Sequence, residues 1–219
     1  HAFDYNLLDN HEIVVRHARP GEKMAALDGV ERPISADDLL ICDARRPVAL
    51  AGIMGGAGSE IRPETRDVLL ESACFGPTGL HRSSVRLGLS TEASHRFERS
   101  VDIGGVDWAS RRAARLTVEL CGAAAAQGVV DAYPGKPGER RVSCRYQRTR
   151  NLLGIDVSDN QIVSTFESLE LPVVARDAGS CTVGVPTFRP DLVIEADLIE
   201  EVARIQGLAE VLVRKAGNR

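Results

Sequence analysis

The chain has 219 residues, of which 43% are apolar and 26% are charged, and its formal net charge is −4. This length and composition predict a globular, soluble protein with one large or two ordinary domains. No apolar run approaches the roughly 18 residues that a membrane-spanning helix requires, so we expect no membrane partner. The negative net charge excludes strong nonspecific attraction to nucleic acid, and any contact with RNA must use local basic patches.

The cysteines argue against two kinds of site. There are five of them, widely spaced, and no two form a C-x-x-C pair. This pattern disfavours a zinc site and thioredoxin-type redox chemistry. We expect reduced, mostly buried thiols, as in a cytosolic protein. The chain starts with His1-Ala2-Phe3-Asp4, without an initiator Met or a signal peptide, and we expect it to be a segment of a longer protein.

Short apolar runs in the first third of the chain predict β-strands. These runs cover residues 12–16, 39–42, 47–51 and 67–75, and Leu27-Asp28-Gly29 marks a hairpin-like turn. Four strands before any long helix predict a sheet-rich unit of mixed or antiparallel order. Helical periodicity then predicts one helix at residues 78–88 and another that ends at Gly122, the position of a C-terminal cap.

Residues 132–139 contain two Pro and two Gly, which predicts a linker. We therefore expect a first domain at residues 1–134, a linker at 135–138, a small domain at 139–210 and a basic, frayed tail at 211–219. The small domain should contain strands at 141–146, 172–176 and 181–185. Its helices should cover 147–153, 158–169 and a stretch from about Asp197 to Gly207.

The last of these helices begins in an acidic cluster. Asp197 followed by Glu200 has the D-x-x-E form of a helix start, with aliphatic residues behind it. Two interpretations stay open at this point. The acids are either a capping box with a solvated face, or a group that binds a hard cation or a basic partner. Spacing alone favours the capping box, because such boxes are common.

Three further segments are candidates for chemistry. Gly52-x-x-Gly55-Gly56-x-Gly58 lacks the Lys-Ser/Thr ending of a P-loop, so it is either a tight turn or a backbone surface on which a ligand lies. Glu71 stands inside an apolar run, either on a solvent face or buried with a partner. Residues 90–99 gather hydroxyls, a histidine and both charges, which is typical of a capped helix with surface ion pairs.

Five segments, in the same order, resemble the beta subunit of bacterial phenylalanine–tRNA ligases. They are His1-Ala2-Phe3-Asp4, AGIMGG at 51–56, LLESA at 69–73, GLSTEASHRFER at 88–99, and the acidic stretch at 189–205. The resemblance implies an α+β protein. Its mixed-sheet editing domain would end near residue 134, and a small, metal-binding, winged-helix-like α+β domain would follow.

The resemblance also implies a reaction, the hydrolysis of mischarged tyrosyl-tRNA(Phe) at its 3′ end. Glu71 matches the glutamate that reads the tyrosine hydroxyl, and Gly55 matches the glycine that leaves room in the pocket. Thr91 and Ala93 match other pocket positions, and His1 matches the histidine near the ester. We therefore expect His1, Glu71 and Thr91 to serve catalysis, with water as the nucleophile.

The remaining implications concern a metal and partners. Asp191, Asp197, Glu200 and Glu201 match magnesium ligands, and carboxylates with retained waters are how Mg²⁺ is usually held. The implied partners are tRNA(Phe) and the alpha subunit, in a cytoplasmic alpha2 beta2 heterotetramer that aminoacylates tRNA with ATP in its alpha subunit. The alternative is a non-catalytic scaffold for subunit assembly and tRNA docking.

Overall fold

A computed structural model of the chain describes residues 1–207, and the expected tail at 211–219 lies outside this range. The chain divides into two compact units, His1–Gly128 and Val129–Arg219. The division falls within residues 122–139, which contain no helix or strand and include the expected linker at 135–138. No helix within residues 1–207 is long and apolar enough to cross a membrane.

Short antiparallel strands build the first unit. Their bounds are β1 Ala2–Asp4, β2 Val14–His17, β3 Lys23–Ala25, β4 Glu31–Pro33, β5 Leu39–Cys42, β6 Pro47–Leu50, β7 Met54–Gly55 and β8 Val68–Leu70. One sheet has the order β2-β5-β6-β7, while β1 pairs with β8 and β3 with β4. The expected strands at 12–16, 39–42 and 47–51 and the hairpin turn at Gly29 are confirmed. The strand expected at 67–75 is shorter, because regular pairing ends at Leu70.

The core of this unit lies on the two central strands of the larger sheet. Leu40 and Ile41 of β5 and Val48 and Leu50 of β6 are buried. Both strands bury consecutive residues rather than every second one, which is the pattern of strands covered on both faces. Phe3 of β1 is fully buried in the same core, so the β1–β8 pair is fastened to it.

The first unit continues with α1 Pro77–Leu87, α2 Glu92–Phe97 and α3 Val106–Cys121. Gly88 ends α1 and Gly122 ends α3, each in the left-handed conformation with φ of 64°. Residues with a side chain rarely adopt this conformation, which explains why glycine stops both helices. The helix expected at 78–88 and the cap expected at Gly122 are confirmed.

The second unit is a three-stranded antiparallel sheet with three helices. Its elements are β9 Arg140–Arg145, α4 Tyr146–Leu153, α5 Asp159–Ser168, β10 Val173–Arg176, β11 Ser180–Val185 and α6 Glu195–Gln206, with the strands in the order β10-β11-β9. Val142 on β9 pairs with Val183 on β11, and both are buried. Ile162 and Phe166 of α5 belong to the same core. The expected α+β class is confirmed.

Asp38 fastens α1 to the strand region of the first unit. Its side chain is only 1% exposed, and it accepts hydrogen bonds from Ser83 Oγ at 2.5 Å, from the Ser35 backbone N–H at 2.8 Å and from the Arg86 guanidinium. Burial alone would raise the pKa of Asp38. The hydrogen bonds from Ser83 and Arg86 outweigh burial and hold this pKa below its usual value.

We expect Asp38→Ala to lower the free energy of unfolding by about 2–4 kcal/mol at pH 7, because buried donors lose their acceptor. A carboxylate with a lowered folded pKa stabilises above its unfolded pKa of about 3.9, and the contribution is lost as the pH falls through the folded pKa. Urea unfolding at pH 7 and pH 3 should therefore show a smaller loss at pH 3. Exposed Asp37→Ala is the control, and equal losses in both variants would contradict the account.

Candidate functional site

The pairing of β1 with β8 places His1 opposite Glu71. The Glu71 N–H donates to the His1 carbonyl at 2.8 Å, and the His1 backbone nitrogen donates to the Glu71 carbonyl at 2.9 Å. Because side chains alternate along a strand, these two side chains share the face of Phe3 and Leu69. Phe3 is buried and Leu69 packs against the core. The alternation therefore turns Glu71 inward.

Among residues 1–207, no side chain donates a hydrogen bond to the Glu71 carboxylate or forms an ion pair with it, although the residue is half-buried. Burial raises the pKa of Glu71. A partly desolvated carboxylate gains free energy when it accepts a hydrogen bond. Glu71 is therefore an acceptor ready for a ligand donor.

Gly55 is the third residue of this site, beside His1 and Glu71. A Cβ atom at Gly55 would lie 2.6 Å from Cε1 and 2.8 Å from Nε2 of His1, so the imidazole rests on bare backbone. The same ring stands edge-on to Phe3, with ring centroids 4.6 Å apart. The structure thus brings together three expected site residues, His1, Gly55 and Glu71.

The other glycines of the 52–58 segment serve packing. Gly52 has a φ of 68° in the turn after β6, and a Cβ there would lie 2.8 Å from a ring carbon of Phe75. A Cβ at Gly56 would lie 2.7 Å from the Val48 carbonyl oxygen. These positions support the tight-turn interpretation. Gly55 differs from Gly56 because its nearest neighbour is the His1 ring, a side chain that can turn away, rather than backbone.

Thr91 is an N-cap that also ties α2 to the glycine-rich turn. Its Oγ1 accepts from the Ser94 N–H at 3.0 Å and donates to the Ile53 carbonyl at 2.7 Å. The hydroxyl hydrogen is therefore committed, which suits a positioning role better than a nucleophilic one. Ala93 is exposed in the first turn of α2. No hydrogen bond within residues 1–207 links Thr91 or Ala93 directly to Glu71.

An open cleft of about 840 Å³ lies along α2 and the residues after it. Its lining consists of Ser90, Thr91, Glu92, His95, Arg96, Arg99, Ser100, Val101 and Asp102. For these charged residues the sequence predicts only surface ion pairs on a capped helix. The available signal was the R-x-x-R spacing of Arg96, in the last turn of α2, and Arg99, in the turn after it, beside hydroxyl residues.

The acidic cluster caps α6, but not as expected. Ile194 is the N-cap and Asp197 is the third helical residue, so the expectation that the helix starts at Asp197 is wrong. Asp197 Oδ2 reaches back and accepts from the N–H groups of Val193 at 2.7 Å and Ile194 at 2.8 Å. Asp197 thus supplies one half of a capping box, and Ile194 cannot supply the other half because its side chain has no hydrogen-bonding group.

Arginines form ion pairs with two other acids of this cluster, Asp191 and Glu201. Arg189 Nη2 lies 2.6 Å from Asp191 Oδ2 and 2.8 Å from Glu201 Oε1, and Arg204 pairs with the other Glu201 oxygen, while Glu200 is exposed. No group of three or more His, Cys, Asp or Glu side chains in the described part of the chain is placed to hold a metal ion. A guanidinium nitrogen thus stands between the carboxylates where a cation would bind. These residues do not fit magnesium in this arrangement, and the magnesium site stays a prediction.

Comparison with known proteins decides the family. Residues 1–122 match the family model of the B3/4 domain, and residues 142–208 match that of the tRNA synthetase B5 domain. The chain belongs to the B3/4 domain family. Its B3/4 domain carries His1, Gly55 and Glu71, and the B5 match covers the acidic cluster.

Two relatives of the chain have the same name. The phenylalanine–tRNA ligase beta subunit of Geobacter sulfurreducens is 50% identical over 207 residues, covering 94% of this chain and 26% of that protein. That of Moorella thermoacetica is 45% identical over 218 residues, covering 100% and 27%. The chain thus spans about a quarter of the length of these relatives. The expected resemblance, to a subunit of an aminoacyl-tRNA synthetase, is confirmed.

Solved structures are also similar to the chain. One of them is an N-terminal fragment of the phenylalanyl-tRNA synthetase beta-subunit from Pyrococcus horikoshii, with a TM-score of 0.46 and 14% identity over 92% of this chain and 58% of that chain. This similarity is too low to support an inference.

Two neighbouring glycines of the B3/4 domain offer a matched test. In Gly55→Ala the new methyl group meets the His1 ring, which can turn away, so we expect a loss below about 1 kcal/mol and a displaced ring. In Gly56→Ala it meets the fixed Val48 carbonyl, so we expect a loss of about 1–3 kcal/mol. Urea unfolding measures both losses, and NMR shifts of His1 report the ring. The reverse order of stability would contradict this packing.

Proposed function

We propose that the B3/4 domain hydrolyses tyrosyl-tRNA(Phe) as an editing site, with Glu71 as the acceptor for the tyrosine hydroxyl. The observation that carries the proposal is the half-buried Glu71 carboxylate, unpaired among the described residues and opposite His1. The name of the relatives supports the substrate class, because a phenylalanine-charging enzyme must separate phenylalanine from tyrosine.

A hydroxyl acceptor explains how such a site would discriminate. An apolar pocket rejects an added hydroxyl by only about a hundredfold, so a second, hydrolytic selection is useful. Tyrosine would give Glu71 a charge-assisted hydrogen bond. Phenylalanine would cover the carboxylate and leave it unpaired, at a cost of about 1–3 kcal/mol. This cost corresponds to a discrimination of about 5- to 150-fold.

The other expected residues surround this acceptor in the proposal. Water attacks the ester carbonyl, and the bond between the carbonyl carbon and the ribose oxygen breaks. Free tyrosine is released, and a proton from the water restores the hydroxyl of the 3′-terminal ribose. Gly55 leaves room for the ligand beside the His1 imidazole. His1 orients the ester, and Thr91 and Ala93 form the α2 side of the pocket. No side chain is assigned as the general base.

The partners follow from the same resemblance. We propose tRNA(Phe) as the substrate carrier, and an alpha subunit with which the longer protein forms an alpha2 beta2 enzyme in the cytoplasm. The support is the name of the relatives, which are beta subunits. Aminoacylation with ATP is proposed for the alpha subunit of that enzyme.

Glu71→Ala in the assembled ligase tests the acceptor. We expect the ratio of kcat/KM for tyrosyl-tRNA(Phe) over phenylalanyl-tRNA(Phe) hydrolysis to fall about 5- to 150-fold, because only tyrosine loses a partner. The wild-type ratio should also decline as the pH falls through the raised pKa of Glu71, since protonation removes the charged acceptor.

The matched control is Glu64→Ala, which removes an exposed acid of the same domain and should leave the ratio unchanged. An unchanged ratio in Glu71→Ala would remove Glu71 from its role. A wild-type enzyme that hydrolyses tyrosyl-tRNA(Phe) no faster than water would favour the scaffold function instead.

Magnesium binding by Asp191, Asp197, Glu200 and Glu201 is proposed only for a state in which Arg189 has released its carboxylates. We expect Arg189→Ala to bind Mg²⁺ more tightly than the wild-type chain. The reason is that Asp191 loses its paired guanidinium and Glu201 keeps only Arg204. Isothermal titration with Mg²⁺ alone measures the difference, and Asp191→Asn in the Arg189→Ala background should remove the gain. No difference between wild type and Arg189→Ala would contradict a magnesium site here.

A further inference from the structure

Apart from Thr91, the residues that line the cleft along α2 have no role in the hydrolysis proposed above. Its charged lining comes from one side of α2 and the turn after it, where Arg96 and Arg99 face a volume of about 840 Å³. Ser90 and Ser100 add hydroxyl donors at its edge. The lining also includes two carboxylates, of which Glu92 pairs with Arg96 and Asp102 accepts a hydrogen bond from the Gly104 N–H. The two guanidinium groups and the neutral donors are suited to a ligand that carries phosphates.

Both arginines are held in place but only weakly neutralised. Arg96 donates to the Glu92 carbonyl at 3.0 Å and pairs with the Glu92 carboxylate at 3.1 Å, with side chains 65% and 88% exposed. Arg99 donates to the His95 carbonyl at 2.9 Å and pairs with Glu98 at 2.7 Å. The exposed Arg96–Glu92 pair contributes about 0–1 kcal/mol, so a phosphate can replace the Glu92 carboxylate at small cost. Glu98 is half-buried and also pairs with His81, so a phosphate would bind Arg99 beside this carboxylate.

The cleft adjoins the proposed editing site through one residue. Thr91 lines the cleft, caps α2 and donates to the Ile53 carbonyl. Ile53 immediately precedes β7, whose Gly55 underlies the His1 ring. A nucleotide chain whose esterified end lies at Gly55 would therefore continue past Thr91 into the cleft.

We propose that this cleft binds the phosphates of the single-stranded RNA immediately 5′ of the esterified nucleotide, through Arg96 and Arg99. This binding step rests on the proposed editing function and supplies its RNA contact. It also reconciles RNA binding with a chain of net charge −4, because the attraction is confined to the two guanidinium groups of Arg96 and Arg99.

The test compares a substrate that has these phosphates with one that lacks them. In the assembled ligase, Arg96→Gln and Arg99→Gln should each raise KM for tyrosyl-tRNA(Phe) about tenfold, because each loses a charged hydrogen bond. KM for 3′-O-tyrosyl-adenosine, which has no phosphate, should not change. Each substitution should also reduce the salt slope of RNA binding by about 0.7.

Arg111→Gln is the control, since Arg111 is an exposed arginine of α3 paired with Asp107 outside this cleft. Wild-type hydrolysis with unchanged KM in both cleft variants would overturn the cleft assignment and leave the editing proposal standing. Equal changes for both substrates would also overturn it, since they would indicate a general distortion of the site.

A binding measurement separates this inference from hydrolysis. The affinity of the ligase for a short single-stranded RNA ending in CCA should fall about tenfold in each cleft variant, whether or not the ester is cleaved. If the wild-type enzyme hydrolyses neither ester, the editing proposal fails, and this affinity alone decides the cleft. Equal RNA affinity in wild type and the double variant would overturn it.

Discussion

The antiparallel pairing of β1 with β8 is the constraint on which the proposed site depends. Its register sets Ala2 opposite Leu70, so the next pair, His1 and Glu71, shares the inward face with Phe3. A slip of one residue between the two strands would place His1 and Glu71 on opposite faces of the pair. Phe3 opposes such a slip, because its fully buried ring would lose its place in the core. Phe3, a residue of the core, thereby fixes the direction of the two side chains that are proposed to act on the substrate.

Two acids of the same unit show how burial separates structure from function. Asp38 is buried and accepts three kinds of hydrogen bond, which hold its pKa below the usual value. Glu71 is half-buried without a partner among the described residues, and burial raises its pKa. The first carboxylate stabilises the fold, whereas the second costs stability that the surrounding core must offset. Such a local cost is typical of sites that await a ligand.

Local pattern predicted the helices well because their ends depend on neighbouring residues, as Gly88 and Gly122 show. The strands β1, β3, β4 and β7, of two or three residues, carry too little periodicity to be predicted, and β1 pairs across more than sixty residues of chain. The inward direction of Glu71 depends on that distant pairing, so the sequence left it open. The family resemblance named His1, Gly55 and Glu71, which the structure brings together. No spacing could show that Arg189 lies between Asp191 and Glu201.

The central claim is that Glu71 reads the tyrosine hydroxyl, and equilibrium binding tests it without any chemistry. The ligands are adenosines that carry tyrosine or phenylalanine at the 3′ position through a non-hydrolysable amide. At pH 7 the wild-type protein should bind the tyrosyl compound about 5- to 150-fold more tightly than the phenylalanyl compound. In Glu71→Ala the two affinities should become equal. A preference for the tyrosyl compound that survives in Glu71→Ala would contradict the account.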